Sequence, residues 1–125
     1  MKTLIFALLA LTLTACGSSN SGTPDTTNPT IPHTNLFIDD TTITVSDSTL
    51  FDLTITGDRN TITVPDNNAI NEFRLRGDNN LITVGNNVTS ENNDVVGNDN
   101  TIMVPIGTNA SFDRVVGSGN QFIEY

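Results

Sequence analysis

Basic residues and aromatic residues are both scarce in this 125-residue chain. It has 5 Lys and Arg residues against 14 Asp and Glu residues, a formal net charge of -9, and no tryptophan. A surface this acidic repels nucleic-acid phosphates and offers no basic patch that could release their counterions. We therefore expect no nucleic-acid partner.

Residues with the usual catalytic side chains are equally rare. The chain has one cysteine, Cys16, one histidine, His33, and no lysine after Lys2. Catalysis needs a nucleophile, or an acid and a base, held beside a group that shifts its pKa. The one histidine lies in the polar segment 17–35, so the rest of the chain cannot form a Ser-His-Asp set. The acidic corner residues Asp58 and Asp78 would suit calcium, but Asp is favoured at turns without any metal. We expect no enzymatic activity, no cofactor and no metal site.

Long hydrophobic runs are absent except for residues 4–15 at the N-terminus. Twelve residues are too few to span a bilayer, which takes about 20, and the charged start and small final residues are typical of a secretory signal peptide. The ending Leu13-Thr14-Ala15-Cys16 resembles the lipobox of bacterial lipoproteins, in which the cysteine is acylated and becomes the first residue. The resemblance implies a signal peptide at 1–15 and a lipid on Cys16. In the Gram-negative families that it resembles, Asp after the cysteine retains the protein at the inner membrane. Gly17 stands there, so we expect attachment to the outer membrane.

The segment after the cysteine cannot form a core. Residues 17–35 read GSSNSGTPDTTNPTIPHTN, with three prolines and one aliphatic residue. Such a composition predicts a flexible linker with an r.m.s. span of roughly 25 Å. We therefore assign residues 16–35 to the lipidated cysteine and a tether, and we interpret His33 as a linker residue.

After residue 35 the chain repeats itself. Glycines recur at a constant spacing, at positions 57, 77, 97 and 117, and each is followed three positions later by an asparagine. A short apolar alternation comes next, as in TITV at 61–64, LITV at 81–84 and TIMV at 101–104, and an earlier TITV lies at 42–45. The predicted corner residues are Gly57, Asn60, Gly77, Asn80, Gly97, Asn100, Gly117 and Asn120.

A second alternation precedes each glycine, for example LTIT at 53–56 and FRLR at 73–76. Alternation with period 2 indicates half-buried strands. One unit is then a strand, a G-x-x-N corner, a second strand and a polar return. Glycine can take positive φ at such a corner, and asparagine tolerates the left-handed region and can bond neighbouring backbone.

We predict an all-β fold: a small single-domain β-solenoid of about four 20-residue coils over residues 36–125. An antiparallel barrel or sandwich is the alternative, because half-units of about 10 residues also suit its turns. The copies recur at the full unit and not at the half-unit, which favours coils. The predicted inward stacks are Ile43, Ile62, Ile82, Ile102 and Phe122; Val45, Val64, Val84 and Val104; Ile55, Leu75, Val95 and Val115; and Leu53 and Phe73, followed by Asn93 and Asp113.

The segments ITGDRNTITV, LRGDNNLITV and VVGNDNTIMV resemble the repeats of a bacterial envelope family, domain of unknown function 3060, over about residues 38–125. This resemblance implies a secreted or lipid-anchored repeat protein and no activity. The unit is also similar to the curlin repeat in its G-x-x-N-x-apolar core. Thr, Arg or Val stand near the places of the flanking glutamines of curlin, which argues against a curli-like fibre subunit.

Two outward patterns bear on function. Arg74 and Arg76 lie one rung above Thr54 and Thr56 and could bind an acidic glycan or lipid phosphate, although ordinary solvated charges explain them as well. Thr42 and Thr44 above Thr61 and Thr63 resemble the T-x-T ladders of ice-binding solenoids, but Leu81 and Met103 interrupt the pattern. The two uninterrupted rungs give a flat face that is too small for binding ice.

The sequence therefore predicts a non-enzymatic envelope lipoprotein whose solenoid is a structural or interaction module. The alternatives are a ligand-binding module using the Arg74 and Arg76 face, and a curlin-like assembly subunit. The expected partners are the membrane, through the lipid anchor, and an envelope protein or glycan. We expect a monomer, with an end-to-end dimer as the alternative, because Glu124 occupies an inward position of the last strand and an inward charge discourages further strand pairing.

Overall fold

The computed structural model describes residues 30–108 and 112–125. The expected signal peptide, Cys16 and most of the tether lie outside these residues. The described chain is built from eleven strands, and no helix within it could cross a membrane. The strands are β1 His33–Phe37, β2 Thr42–Thr44, β3 Phe51–Thr56, β4 Thr61–Val64, β5 Ala69–Arg76, β6 Leu81–Val84, β7 Thr89–Ser90, β8 Asn93–Val96, β9 Thr101–Val104, β10 Phe112–Val116 and β11 Gln121–Glu124.

These strands form two parallel sheets on opposite sides of a coil. Sheet A has the order β1-β3-β5-β8-β10, with β7 also pairing with β5, and sheet B has the order β2-β4-β6-β9-β11. Each sheet has five rungs, and every pair is parallel, because successive passes of the chain run in the same direction. The predicted β-solenoid of about four turns, with about 20 residues per turn, is confirmed. The antiparallel alternative is wrong.

The solenoid begins three residues before the predicted boundary at residue 36. His33 lies in strand β1, where it pairs with Asp52 of β3, and its Nδ1 is 2.8 Å from the Asp52 carboxylate. The backbone N–H of Asp52 also donates to the carbonyl of Pro32 at 2.8 Å. The interpretation of His33 as a linker residue is therefore wrong, because a strand with few apolar residues is held here by backbone pairing and one buried carboxylate.

A bulge explains why the first copy is one residue shorter than the others. Phe51 pairs with Ile70, but Asp52 pairs with Glu72, so Asn71 is an extra residue in β5. The Asn71 side-chain amide donates to the Asp52 carboxylate at 2.7 Å. The same carboxylate thus holds both His33 and the bulge, which accounts for a buried Asp in this strand.

The core lies between the sheets as predicted, except in the fourth stack, where Phe112 and not Asp113 aligns with Asn93 and packs against the core. Asp113 is wrong as an inward residue, because a bulge between Phe112 and Arg114 shifts the register of β10. Ile62, Ile82 and Ile102 are at most 1% exposed. Residues of the predicted stacks become exposed only in the last rung, where Val115 and Phe122 are 43% and 42% exposed. Three further buried residues, which do not recur in the repeat pattern, close the side of the coil that leads into sheet A: Phe51, Ile70 and Val88.

Candidate functional site

The G-x-x-N corners form the most regular feature of the molecule. The glycine of each corner has a φ between 120° and 142°. A Cβ placed on Gly77 would strike the carbonyl oxygen of Gly57 one rung before, and a Cβ on Gly97 would strike that of Gly77. The glycines at 57, 77, 97 and 117 are therefore required both by their backbone angles and by the close stacking of successive corners.

The left-handed residue of the corner is not the asparagine. Arg59, Asn79 and Asp99, each immediately before it, have φ values of 57°, 59° and 56°. The expectation that the corner asparagines use their tolerance of the left-handed region is wrong. They have a different role, because their side chains turn inward and bond across the rungs.

The corner asparagines form a buried amide ladder: Asn60, Asn80, Asn100 and Asn120. The Oδ1 of Asn80 accepts the backbone N–H of Asn60 at 3.0 Å, and its Nδ2 donates to the Gly57 carbonyl at 2.9 Å and to Asn100 Oδ1 at 3.0 Å. Asn60, Asn80 and Asn100 are at most 1% exposed. Buried amides that are fully bonded stabilise the fold instead of opening a binding site.

A second column runs along the outside of the same corners. The Oδ1 of Asp58 accepts the backbone N–H of Asp78 at 2.8 Å, and the Oδ1 of Asp78 accepts that of Asn98 at 2.7 Å. The oxygens considered for calcium thus bind backbone amides. No group of three His, Cys, Asp or Glu side chains that could hold a metal occurs within residues 30–108 and 112–125.

An exposed ion pair joins the first two corners. Arg59 Nε donates to Asp40 Oδ1 at 2.6 Å, and its NH2 group donates to Oδ2 at 2.8 Å. This two-point contact lowers the pKa of Asp40 and raises that of Arg59. Arg59 is therefore occupied by its neighbour in the preceding corner.

The candidate binding residues Arg74 and Arg76 lie on the outer face of sheet A, as expected, but they differ in their surroundings. Arg74 Nε donates to Glu72 Oε1 at 2.9 Å. Within residues 30–108 and 112–125, Arg76 is the one arginine without an ion pair, since Arg59 and Arg114 are also paired. Glu72 and Arg74 are two residues apart and so face the same side of a strand, which makes Glu72 one of two acidic neighbours of Arg74 that the sequence places on this face, Asp94 being the other.

Arg76 belongs to an outward column that is otherwise uncharged. Strand pairing aligns it with Thr56 and Phe37 on one side and with Val96 and Val116 on the other. Phe37 is 78% exposed and Val116 is 42% exposed. We name these five residues the Arg76 column: Phe37, Thr56, Arg76, Val96 and Val116.

Two cavities among the described residues differ in size and in the groups that line them. A cavity of about 30 Å³, between residues such as Phe73, Asn93 and Phe112, has room for no more than one or two molecules the size of water. A shallow groove of about 450 Å³ lies between residues 86–91 and 105–108. The described residues of its lining supply amides, hydroxyls and Glu91, but no nucleophile beside a histidine or lysine.

No protein-family model, curated protein or solved structure matches the chain. What the molecule does must therefore be inferred from its sequence and its geometry.

Proposed function

We propose that this chain is a non-enzymatic lipoprotein of the bacterial cell envelope, anchored in the outer membrane through Cys16, and that its solenoid is an interaction module. The lipobox-like ending at Cys16 and the polar segment that follows it support the anchor and the tether. The repeats, which resemble those of domain of unknown function 3060, agree with an envelope protein without catalytic activity.

The Arg76 column is the observation that carries the interaction role. It combines an unpaired arginine with an exposed phenylalanine and exposed valine on a rigid sheet. Arginine and aromatic residues, including phenylalanine, are enriched in the buried centre of protein interfaces. The neighbouring positions of the same sheet carry paired charges, which suit the solvated rim of an interface.

An envelope protein is the partner that this column fits best. A row of apolar residues that includes one unpaired arginine, Arg76, matches a partner surface that is partly apolar and carries one carboxylate. The partner would bury Phe37 and Val116 and pair with Arg76.

A photo-crosslinking residue at Val96, in the protein expressed in its own bacterium, tests this role. We expect a discrete crosslinked protein band from position 96 and none from a matched position at Asn79, an exposed corner residue. Arg76→Glu should remove the band, whereas Arg59→Glu at the corner should leave it. Crosslinking that is equal at both positions, or that is unaffected by Arg76→Glu, contradicts the proposal.

The second candidate is an anionic ligand, such as an acidic glycan or a lipid phosphate, bound by Arg74 and Arg76. Arg76 favours it because its guanidinium has no acidic partner among the described residues. Arg74 counts against it, since an anion would have to displace Glu72. Salt-sensitive binding to vesicles containing lipopolysaccharide, lost in the double variant Arg74→Glu and Arg76→Glu, would select this candidate.

A further inference from the structure

The outer face of sheet B differs from every other surface of the described solenoid because it carries no charge. Its ten outward positions form two aligned columns, one starting at Thr42 and the other at Thr44. The only charged residue of its strands is Glu124, which aligns with the inward Val104. The columns are Thr42, Thr61, Leu81, Thr101 and Gln121, and Thr44, Thr63, Thr83, Met103 and Ile123.

This neutrality is unusual in a chain with a formal charge of -9. The outward positions of sheet A include Asp52, Glu72, Arg74, Asp94 and Arg114. Threonine alone accounts for six of the ten outward positions of sheet B. The face is therefore dominated by threonine as well as neutral.

The face is also the more regular of the two. The four strand pairs of sheet B run without a register shift, whereas sheet A is shifted at β3–β5 and at β8–β10. Successive rungs of a parallel sheet lie about 4.8 Å apart, and the two columns are separated by about 6.7 Å along each strand. Because β-branched side chains are stiff at χ1, the threonine methyl and hydroxyl groups repeat on this lattice.

Leu81 and Met103 each replace one threonine of a T-x-T pair, so they interrupt the pattern in the sequence. They do not interrupt the outer face of sheet B. Each stands beside a threonine of its own rung, Thr83 and Thr101 respectively. Both are half-buried, uncharged and supply methyl groups at their positions. The array thus extends over four threonine-bearing rungs instead of two.

The size and shape of the face limit what it can bind. Its two columns over five rungs cover roughly 300 Å², whereas a stable protein interface needs about 800 Å² from each partner. A second copy of the chain is therefore not held by this face alone. The face also has no aromatic ring that could stack on a sugar.

We propose that the outer face of sheet B binds ice. A crystalline water surface is neutral, flat and periodic, and the spacing of the rungs is close to the repeat of oxygen atoms along the a axis of hexagonal ice. The hydroxyl groups can bond water of the lattice, and the methyl groups lie against it. Ice is rigid, so it loses no conformational entropy when it is bound, whereas a flexible polymer of the same polarity does.

Partition into slowly growing ice tests this proposal with the soluble chain 17–125, which contains all the strands and core residues described above. We expect the wild type to be enriched in the ice relative to the residual liquid. Thr63→Glu, in the middle of one column, should lower this ratio by about tenfold or more, because a carboxylate would be desolvated against a neutral lattice.

The matched control is Thr54→Glu on the outer face of sheet A, which should partition like the wild type. Thermal unfolding of each variant establishes that the solenoid is intact, and Thr44→Glu in the terminal rung replaces Thr63→Glu if the latter does not fold. Exclusion of the wild type from ice, or equal partition of the two Glu variants, overturns the proposal. Neither result depends on the lipid anchor or on the Arg76 column.

Discussion

At the scale of single residues, the corner glycines are held by two independent constraints. We expect Gly77→Ala to lower the free energy of unfolding by about 3 kcal/mol or more, because the new Cβ combines a positive φ with a collision against the Gly57 carbonyl. Gly107→Ala is the control, since Gly107 also has positive φ, 81°, but no described atom lies within 4 Å of the added carbon.

Urea unfolding of both variants separates the two constraints. Gly107→Ala should cost about 1–2 kcal/mol, the strain of a left-handed backbone alone. Equal losses at both glycines would mean that the stacked carbonyl of Gly57 moves aside.

The amide ladder gives a second prediction at this scale. Asn80→Asp should cost about 3 kcal/mol or more at neutral pH, because it removes two donated hydrogen bonds and buries a carboxylate beside Asn100 Oδ1 and the Gly57 carbonyl. Asn79→Asp differs by one position and is exposed, so it should change stability by less than about 0.5 kcal/mol. Similar losses for the two variants in urea unfolding would be inconsistent with the ladder.

The ion pair of Asp40 and Arg59 predicts a pH dependence. Its hydrogen bonds to Arg59 lower the pKa of Asp40 in the folded state, so its contribution is present above the unfolded pKa of about 3.9 and is lost as the pH falls through the lower folded value. The stability difference between wild type and Asp40→Asn should therefore be complete above about pH 4 and should shrink progressively as the pH falls further. Because the pair is exposed, 0.5 M salt should reduce the difference as well.

At the scale of elements, strand β1 is the part of the fold that sequence reasoning misplaced. Its sequence, HTNLF, has one aliphatic residue, Leu36, and the segment that precedes it is rich in threonine and proline. The strand is specified by its pairing with β3 and by the Asp52 carboxylate, contacts that join residues 19 apart. Local alternation cannot report such contacts, whereas it does report β4, β6 and β9, whose apolar residues recur in every coil.

The boundary at β1 leads to a prediction about fragments. A chain starting at residue 36 loses most of β1 and leaves the Asp52 carboxylate without His33, so we expect it to be less stable than a chain starting at residue 30 by about 2 kcal/mol or more. Thermal unfolding of the two fragments checks this. Identical stabilities would restore residue 36 as the start of the folded unit.

At the scale of the whole molecule, the period of the glycines was sufficient to predict the solenoid and the registers of its central rungs. The pairing partners of single charges were harder to predict. Arg74 and Glu72 stand two residues apart in one strand and form an ion pair, yet Asp94, which aligns with Arg74 one rung away, pairs instead with Arg114. Side-chain choice among such neighbours depends on geometry that the repeat does not encode.

The anchoring of the molecule gives the last prediction. The proposed lipid on Cys16 should carry the full-length protein, expressed in its own bacterium, into the detergent phase of a Triton X-114 separation, and Cys16→Ser should leave it in the aqueous phase. The variant Gly17→Ser is the control, since it changes the next residue but keeps the thiol. A wild type in the aqueous phase contradicts the anchor.

The two corner columns point in opposite directions along the solenoid. The corner amides accept backbone N–H groups from the preceding coil, as Asn80 does from Asn60, and the outer carboxylates accept them from the following coil, as Asp58 does from Asp78. Each internal coil therefore presents one set of donors and acceptors to the coil before it and the complementary set to the coil after it. A duplicated block the length of one coil, inserted at a corner, would meet complementary surfaces above and below, so genetic duplication can lengthen such a molecule by whole coils. Both outer faces would then grow in proportion to the number of copies, without any new fold having to arise.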